Sequence, residues 1–489
     1  MLPQTALGAT VTSLMKTDLF IAGEWVRPEG LGTIEVRNPS TGALLAEVPK
    51  GGEAEADAAI HAANAALPAW SALTAKARAT ILRRWHDLIM ENQEELAQLL
   101  TAEQGKPIAE ARGEIAYGAA FFDWYADEAK RIYGDIIPSN APDRRLFALR
   151  QPIGVVAAIT PWNFPMAMIP RKAAPALAAG CTMVLKPASA TPLSALALAE
   201  LGARAGVPAG VFNVVPGAAG AVGDRLATHP LVRKLTFTGS TEVGRKLMAR
   251  AADTIKKLSL ELGGNAPVVV FDDADLEAAV AGTIATKFRN MGQTCVCANR
   301  IYVQAGIHDR FVAALVKAVE AMPLGDGMAD GIQQGPLIDM AAVAKCEAHI
   351  ADALEHGAHV ATGGGRHALG GSFFDPTVLT GATADMLIAH EETFGPVAPV
   401  FRFETEAEAL AAANDTEFGL AAYFFTRDAA RIWRFGEALE YGIVGVNTGA
   451  TSYEGAPFGG WKASGLGREG GHEGITEFLE TKYLCIAGL

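Results

Sequence analysis

The stretch Val155–Thr160, with the sequence Val-Val-Ala-Ala-Ile-Thr, is an apolar run of strand length. A run this short and this apolar predicts a strand that is buried on both faces. It opens an alternation of short apolar runs and amphipathic helical segments that continues as far as Leu262. Such an alternation is typical of crossover units, which form a parallel sheet.

The elements predicted after this strand are helices over 168–179, 193–205, 221–228 and 242–252, and strands over 182–186, 211–215, 234–238 and 257–262. Parallel sheets of this kind bind ligands at the carboxyl ends of their strands. That rule selects the loops Thr160–Pro165, Lys186–Thr191, Pro216–Gly220, Gly239–Gly244 and Glu261–Asn265.

The remaining segments predict a helical region, a second α/β domain and a terminal strand. Residues 75–100 are predicted to be helical, within a helical stretch from 53 to about 133, and a second alternation extends from 268 to about 446. Residues 478–486 resemble a strand. We expect this apolar terminal strand to find its pairing partner in another subunit.

The composition describes an acidic globular protein with a large core. The chain has 489 residues, 50% of them hydrophobic and 19% charged, which predicts about two to three domains. Its net charge of −13 argues against nucleic acid as a partner. No apolar run approaches the roughly 18 residues that span a bilayer, and no signal peptide is evident. Five cysteines, an odd number, indicate a reducing compartment, so we expect a cytoplasmic protein.

The segment Met291–Arg300 carries the residue that is best placed for covalent chemistry. Cys295 follows a helical segment, 276–290, and precedes the strand-like run 301–303. Gly292 suits the left-handed residue that ends a helix. A thiol on a loop between two regular elements is positioned to react, whereas the alternative is an inert, buried cysteine.

Two loops of the first sheet have features of a dinucleotide site. Gly239 and Ser240 join a strand to a helix N-terminus, which favours a phosphate; the alternative is a simple turn. Lys186 can reach a ribose hydroxyl or phosphate; the alternative is a surface lysine beside a capping serine. Ser189 stands where NAD sites usually have an acidic residue, and this favours NADP over NAD.

Two further loops carry polar groups that are suited to catalysis. Asn163 lies between Pro161 and Pro165, and its amide can donate to a developing negative oxygen; the alternative is an ordinary turn asparagine. Glu261 lies between two leucines, where a raised pKa suits a general base. The alternative for Glu261 is an exposed position on an edge strand.

Together these motifs resemble the aldehyde dehydrogenase superfamily over essentially the whole chain. The motifs are Pro161-Trp162-Asn163-Phe164-Pro165, Leu260-Glu261-Leu262-Gly263-Gly264, Gly292-Gln293-Thr294-Cys295, Glu392-Thr393-Phe394-Gly395-Pro396, Pro457-Phe458-Gly459-Gly460 and Ser464-Gly465-Leu466-Gly467-Arg468-Glu469. Within the superfamily, Phe288–Asn290 and Cys295–Arg300 are similar to the bacterial NADP-dependent succinate-semialdehyde dehydrogenases.

The resemblance implies a fold and a division into domains. It implies two parallel-sheet α/β domains and a small strand-built oligomerisation element. The dinucleotide-binding domain would comprise residues 1–135 and 152–262, the catalytic domain 263–450, and the oligomerisation element 136–151 and 472–489. A homo-oligomer, dimer or tetramer, is therefore expected.

The resemblance also implies a mechanism. Cys295 would attack the aldehyde carbon, and the oxyanion would accept hydrogen bonds from the Asn163 side chain and the Cys295 backbone N–H. Hydride transfer to the nicotinamide would leave a thioester, and Glu261 would activate the water that hydrolyses it. Relatives that pass the acyl group to coenzyme A generally lack this glutamate, so Glu261 favours release of the free acid.

For the cofactor, the resemblance implies that Glu392 holds the nicotinamide ribose and that Phe394 packs near the ring. The other residues implied in cofactor binding are Thr160, Trp162, Lys186, Ala188, Ser189, Gly239, Ser240 and Leu262.

For the substrate, the resemblance implies that Arg171, Arg289 and Ser452 bind the remote carboxylate of a small ω-carboxylate aldehyde. Paired, charge-assisted hydrogen bonds of a guanidinium suit a carboxylate. Without the resemblance, both arginines would be assigned to the surface or to ion pairs. Succinate semialdehyde is the expected substrate. Glutarate semialdehyde, or a broad aldehyde range with NAD, remains an alternative, as does a non-catalytic binding protein.

Cys297 is a possible redox partner of Cys295, through a reversible disulfide; the alternative is a buried space-filling residue. Cys181, Cys346 and Cys485 are predicted to be structural. No cluster of Cys, His and Asp has metal-ligand spacing, so no metal is expected.

Overall fold

A computed structural model describes residues 13–488 of the chain. The predictions for residues 1–12, including the missing signal peptide, lie outside the described residues. The elements of the first half are β1 (Leu19–Ile21), β2 (Glu24–Val26), β3 (Thr33–Arg37), β4 (Leu44–Pro49), α1 (Glu53–Ser71), α2 (Ala75–Glu91), α3 (Gln93–Gln104), α4 (Ile108–Glu128), β5 (Asp135–Ile137), β6 (Arg144–Pro152), β7 (Val155–Ile159), α5 (Pro170–Ala179), β8 (Thr182–Lys186), α6 (Leu193–Ala205), β9 (Phe212–Val214), α7 (Ala219–Thr228), β10 (Val232–Thr238), α8 (Thr241–Ala251) and β11 (Lys257–Glu261).

The elements of the second half are β12 (Ala266–Val270), α9 (Leu276–Lys287), β13 (Ala298–Gln304), α10 (His308–Glu320), α11 (Met340–Glu355), β14 (His359–Thr362), β15 (Thr377–Thr380), α12 (Leu387–His390), β16 (Val397–Phe403), α13 (Glu406–Asn414), β17 (Phe418–Gly419), β18 (Ala421–Phe425), α14 (Ala429–Ala438), β19 (Ile443–Val446), β20 (Trp461–Lys462), β21 (Gly465–Leu466), α15 (Glu473–Thr476) and β22 (Leu479–Ala487).

The first sheet has eight strands in the order β2-β1-β9-β8-β7-β10-β11-β21. The five neighbouring strands β9, β8, β7, β10 and β11 are parallel to one another, and β21 forms the sheet edge, antiparallel to β11. Val156 and Ala158 of β7 belong to one hydrophobic cluster, whereas Val155 and Ala157 belong to another. Because successive side chains point to opposite faces, both faces of β7 are buried, as the apolar run predicted.

The second sheet has seven strands in the order β14-β15-β16-β13-β12-β18-β19. The six neighbouring strands β15, β16, β13, β12, β18 and β19 are parallel to one another. The predicted fold class, with two parallel-sheet α/β units, is confirmed. The stretch 75–100 is helical as predicted, and it forms two helices, α2 and α3, that meet at Asn92.

The terminal strand pairs within its own chain, which corrects the expectation of a partner strand in another subunit. β22 is antiparallel to β6, from Leu479 opposite Pro152 to Ala487 opposite Arg144, and β5 completes a three-stranded sheet. Cys485 lies on this strand and is exposed in the single chain, and its assignment as a structural residue stays a prediction. The predicted domain boundaries stay a prediction.

No helix within residues 13–488 combines the length and the apolar character that crossing a bilayer requires.

Candidate active site

The carboxyl ends of the first sheet's parallel strands face a cavity of about 270 Å³ between the two large sheets' loops. This cavity contains the predicted nucleophile. Of the predicted site residues, it brings together Trp162, Asn163, Arg171, Gly239, Ser240, Glu261, Leu262, Arg289, Cys295, Glu392, Phe394 and Ser452. Thr160, Lys186, Ala188, Ser189 and Cys297 do not line it.

The nucleophile loop is held in a close-packed backbone conformation. Three successive residues, Asn290, Met291 and Gly292, have positive φ angles of 50°, 57° and 73°. A Cβ on Gly292 would lie 2.2 Å from the carbonyl oxygen of Gly395, so only glycine fits. A Cβ on Gly264 would similarly lie 2.4 Å from the carbonyl oxygen of Cys295. Both glycines let backbone segments meet beside the thiol.

The environment of the Cys295 thiol favours its protonated form. Burial raises the pKa of Cys295 to about 12, although Arg171 opposes the shift; Glu392 and Glu261 add to it. Because only the thiolate attacks a carbonyl efficiently, a base must accept the thiol proton.

Asn163 points one N–H of its side-chain amide at the nucleophile loop. Its Nδ2 donates to the carbonyl oxygen of Gln293 at 2.9 Å, and the residue is buried. An amide nitrogen has two hydrogens, and the second is free for a group in the cavity. Asn163 is therefore a fixed donor beside Cys295 rather than a turn asparagine that bonds its own backbone.

Glu261 is a buried carboxyl without a hydrogen-bond partner among the described residues. It is 2% exposed, and neither carboxyl oxygen is bonded. Burial raises the pKa of Glu261 well above 4.5, and the nearby Glu469 raises it further, whereas Arg171 and Lys172 oppose the shift. The alternative of an exposed edge position is wrong, because β11 lies between β10 and β21.

Glu469 is the anionic partner of two buried cations. Its carboxylate lies 2.8 Å from Nη2 of Arg171 and also binds the ammonium of Lys172. Burial opposes ionisation, but Lys172 and Arg171 together lower the pKa of Glu469. Arg171 also lies over the ring of Phe458, at 3.9 Å. The Arg171 guanidinium is thus paired with Glu469 and also lines the cavity.

Arg289, Ser452, Tyr117 and Phe164 line both the Cys295 cavity and a second cavity of about 610 Å³. The guanidinium of Arg289 is half-buried and lies 4.8 Å from the ring centre of Phe164. Ser452 is exposed. The two cavities therefore adjoin at these four residues.

The residues predicted for the far end of a dinucleotide follow neighbouring strands. Lys186 is buried rather than at the surface, and its ammonium donates to the carbonyl oxygen of Pro187 at 3.1 Å. Burial lowers the pKa of Lys186 to about 8. Ser189 is half-buried, next to Ala188, and donates to the carbonyl oxygen of Gly217 at 3.3 Å. Thr160 is buried, and its N–H donates to the carbonyl oxygen of Lys186 at 3.2 Å, at the carboxyl ends of β7 and β8.

These residues fit a phosphate-bearing cofactor on two observations. No carboxylate lies within ion-pair distance of Lys186 among the described residues, so its positive charge lacks a protein counter-ion. Ser240 caps helix α8, accepting from the Val243 N–H at 3.4 Å, next to Gly239. A helix N-terminus of this kind favours negative charge.

Glu392 and Phe394 approach from the second sheet. The Glu392 carboxylate accepts from the Gly264 N–H at 3.0 Å, and burial raises the pKa of Glu392 to about 7. The rings of Phe394 and Trp162 are 5.6 Å apart and nearly perpendicular. Leu262 lines the same wall, where its N–H donates to the carbonyl of Ser464.

Cys297 faces away from the cavity. Its thiol donates to the carbonyl oxygen of Lys287 at 3.1 Å, and the residue is buried. All five cysteines are free. Residues 13–488 contain no group of three or more His, Cys, Asp or Glu side chains that is arranged to hold a metal ion.

Sequence analysis missed Tyr117, Lys172 and Glu469 as site residues. Tyr117 places a hydroxyl on α4 in an otherwise apolar stretch, which was a usable signal. Lys172 adjoins Arg171, and Glu469 ends a quoted motif. Their pairing joins positions 297 residues apart, which no local pattern predicts.

The model of the aldehyde dehydrogenase family matches residues 25–484. The chain is 64% identical to the succinate-semialdehyde dehydrogenase (NADP(+)) GabD of Escherichia coli, over 97% of this chain and 98% of that protein. It is 62% identical to a glutarate-semialdehyde dehydrogenase of Pseudomonas aeruginosa, over 97% and 99%. A crystal structure described as an E. coli NADP dependent enzyme superposes with a TM-score of 0.97, at 64% identity, covering 97% and 99% of the two chains.

The chain therefore belongs to the aldehyde dehydrogenase family, as its motifs predicted.

Proposed function

We propose that this protein is an NADP-dependent, non-acylating dehydrogenase that oxidises succinate semialdehyde to succinate. The observation that carries the proposal is the cavity itself, in which Cys295 and the unpartnered Glu261 share a wall with two guanidinium groups, Arg171 and Arg289. A relative of the stated specificity is 64% identical over nearly the full length, which supports the substrate and the cofactor.

In this proposal, Cys295 attacks the aldehyde carbon after Glu261 has accepted its proton. The side-chain N–H of Asn163 that does not bond Gln293, together with the backbone N–H of Cys295, stabilises the oxyanion. A donor of this kind typically contributes about 100-fold to the rate. A bound nicotinamide, held near Glu392 and Phe394, would supply the acceptor for the hydride of the substrate carbon. Once Glu261 has released the thiol proton to solvent, it removes a proton from the water that hydrolyses the thioester on Cys295.

Hydrolysis, rather than transfer to coenzyme A, follows from the position of Glu261. An unpartnered buried carboxyl with a raised pKa has a higher proton affinity than an ordinary glutamate, and this suits a general base. Transfer to a thiol would not require this base for water. Free succinate is thus the expected product.

The two arginines and Ser452 provide the specificity for an ω-carboxylate. Arg289 forms no ion pair within residues 13–488, although the Glu110 carboxyl lines the second cavity with it, and its guanidinium also lines the Cys295 cavity, where a substrate carboxylate could bind it. Each charge-assisted bond contributes roughly 1.5–3 kcal/mol. The Arg171 charge is partly neutralised by Glu469, and Arg289 is therefore expected to provide the larger share.

For NADP, the proposed contacts are Lys186 and Ser189 near the adenosine, Gly239 and Ser240 at the phosphates, and Glu392 with Phe394 near the nicotinamide. NAD sites usually have an acidic residue at the position of Ser189, and its charge would repel a 2′-phosphate. The Ser189 hydroxyl can instead form a hydrogen bond to that phosphate. The remaining proposed contacts are Thr160, Trp162, Ala188 and Leu262.

Glutarate semialdehyde is the second candidate substrate, because a relative of that name is 62% identical. One methylene changes binding by only about 1–3 kcal/mol. Use of both substrates is expected.

The test is to measure kcat/KM for succinate semialdehyde, glutarate semialdehyde and propanal, each with NADP and with NAD, and to identify the product. The expected result is a clear NADP preference, at least about 100-fold discrimination against propanal, and free succinate without coenzyme A. Equal use of all aldehydes would overturn the specificity, and dependence on coenzyme A would overturn hydrolysis.

We also propose a homo-oligomer in the cytoplasm. The sheet of β5, β6 and β22 exposes apolar side chains, including Ile136, Tyr483 and Leu484. Such a surface is typical of an interface. Light scattering that shows a monomer would contradict this.

The proposed Cys295–Cys297 disulfide would form when peroxide removes two electrons and two protons from the thiols and is reduced to water. Both thiols are free, but Cys297 must turn away from the Lys287 carbonyl. Mild peroxide followed by dithiothreitol should inactivate and then restore the enzyme. In Cys297→Ala, recovery should fall; unchanged recovery would contradict the pairing.

A further inference from the structure

Lys106 is a buried lysine that the mechanism above does not use. It lies between α3 and α4, is 1% exposed, and lines neither cavity. A fully buried ammonium is costly unless charges and hydrogen bonds satisfy it. Its partners therefore show what it holds in place.

The ammonium of Lys106 joins a carboxylate to the backbone of the oxyanion residue. Its Nζ lies 2.5 Å from Oε2 of Glu114 and donates to the backbone carbonyl oxygen of Asn163 at 2.8 Å. It also lies 3.8 Å from the centre of the Phe164 ring. All of its contacts outside α4 are thus to the loop that carries Asn163.

Glu114 holds the same loop on its other side. Its Oε1 accepts the backbone N–H groups of Met166 at 2.9 Å and Ala167 at 3.1 Å. The pair of Lys106 and Glu114 therefore fixes the loop before and after Pro165. A simple space-filling ion pair would not need three bonds to one loop.

The Asn163 peptide is also bonded from the nucleophile side. Nδ2 of Asn290 donates to the Asn163 carbonyl oxygen at 3.0 Å, and the Asn163 side chain donates to Gln293 at 2.9 Å. Because an amide NH₂ is planar, fixing one hydrogen on Gln293 orients the other. The two hydrogen bonds to the Asn163 carbonyl, from Lys106 and Asn290, therefore fix the backbone that carries this side chain.

We infer that Lys106, paired with Glu114, is a positioning residue that aims the free N–H of Asn163 at the oxyanion. This inference rests on the proposed function. Oxyanion donors act only where negative charge develops, and small displacements weaken them. Loss of Lys106 should therefore lower kcat and leave the KM values nearly unchanged.

The experiment is a double-mutant cycle with Lys106→Met and Asn163→Ala, using succinate semialdehyde and NADP. Lys106→Met should lower kcat about 10- to 100-fold, with KM values within about twofold of wild type. In the Asn163→Ala background the same change should lower kcat by less than about twofold, because its target is already absent. Additive losses would overturn the inference.

Lys234→Met is the matched control. Lys234 is equally buried, lies 3.2 Å from a Glu477 carboxylate oxygen, and lines neither cavity. It should lower the melting temperature without changing kcat. If Lys234→Met lowers kcat as much as Lys106→Met does, the Lys106 effect is merely structural and the inference fails.

Lys106→Met leaves the Glu114 charge buried and unpaired, which can prevent folding. The neutral pair Lys106→Met/Glu114→Gln avoids this and retains an oxygen for Met166 and Ala167. It should show the same loss of kcat, whereas full kcat in this variant would overturn the inference. If the wild type oxidises the aldehyde and Lys106→Met has the same kcat, only the role of Lys106 is refuted. If the wild type does not oxidise the aldehyde at all, the proposed function is refuted as well.

Discussion

The end of β11 and the segment after β21 each bury a carboxyl beside the same cavity, yet their environments are opposite. Glu261 is 2% exposed and has no hydrogen-bond partner among residues 13–488. Glu469 is 5% exposed and is paired with both Arg171 and Lys172. Burial is the largest influence on both, but the pKa of Glu261 is raised and that of Glu469 is lowered.

The contrast shows that partners, not burial, decide what a buried carboxyl can do. Glu469 stays ionised and serves as a counter-ion that holds two cations in place. Glu261 keeps its proton affinity because nothing satisfies its charge, which is what a base requires. The repulsion between the two carboxylates strengthens this division.

The largest expected effect is on turnover in Glu261→Gln. This change removes the base and should lower steady-state kcat by about 10²–10⁴-fold. A pre-steady-state experiment should still show a burst of NADPH formation in this variant if the thiol loses its proton by another route. The outcome to compare is Glu469→Gln, which should reduce kcat much less. Equal losses in the two variants would end the distinction between them.

Stability should change in the opposite order. Glu469→Gln leaves Arg171 and Lys172 without an anion and should lower the free energy of unfolding by about 3 kcal/mol. Glu261→Gln removes an unsatisfied carboxyl and should stay within about 1 kcal/mol of wild type. Denaturant unfolding measures both. A strongly destabilised Glu261→Gln would show that Glu261 has a partner after all.

The cationic side of the cavity gives a third test. Arg289→Ala should raise KM for succinate semialdehyde by about 10- to 100-fold, because charge-assisted bonds to the carboxylate are lost. KM for propanal should hardly change. Arg171→Ala is less informative, since it also removes a partner of Glu469. Equal effects of Arg289→Ala on both aldehydes would remove Arg289 from substrate recognition.

The smallest effect concerns the pH dependence of stability. Glu261 has a raised pKa when folded, so its stabilisation is complete below pH 4.5 and is lost as pH rises through the folded pKa. Glu469 has a lowered pKa, so its stabilisation is present above pH 4.5 and is lost as pH falls. The melting temperature of Glu261→Gln relative to wild type should therefore rise with pH, by about 2 °C.

For Glu469→Gln, the deficit relative to wild type should instead shrink as the pH falls below 4.5. Thermal scans from well below pH 4.5 up to pH 8 measure both trends. The same sign of change in the two variants would contradict the opposite pKa shifts.

The sequence was sufficient to predict the parallel strands and the loop position of Cys295, because both depend on local patterns. The apolar run at Val155 and the glycine at position 292 determine their own conformations. The motifs also predicted most residues of the cavity. What they could not predict is which distant group satisfies each buried charge.

Those partners depend on tertiary packing. Lys106 meets Asn163 across 57 residues, and Lys172 meets Glu469 across 297. The partner strand of β22 was mispredicted for a related reason. The apolar character of a strand indicates that it must pair, but it does not indicate with which segment, and residues 144–152 of the same chain are the answer.

Strand β21 has a consequence for fragments of this protein. Residues 465 and 466 pair with Leu260 and Glu261, and the Ser464 carbonyl binds the Leu262 N–H. A fragment that ends before residue 464 would carry both Glu261 and Cys295, but it would lack the strand that covers this side of β11. The cavity wall beside Glu261 is therefore assembled from two segments that are far apart in the chain.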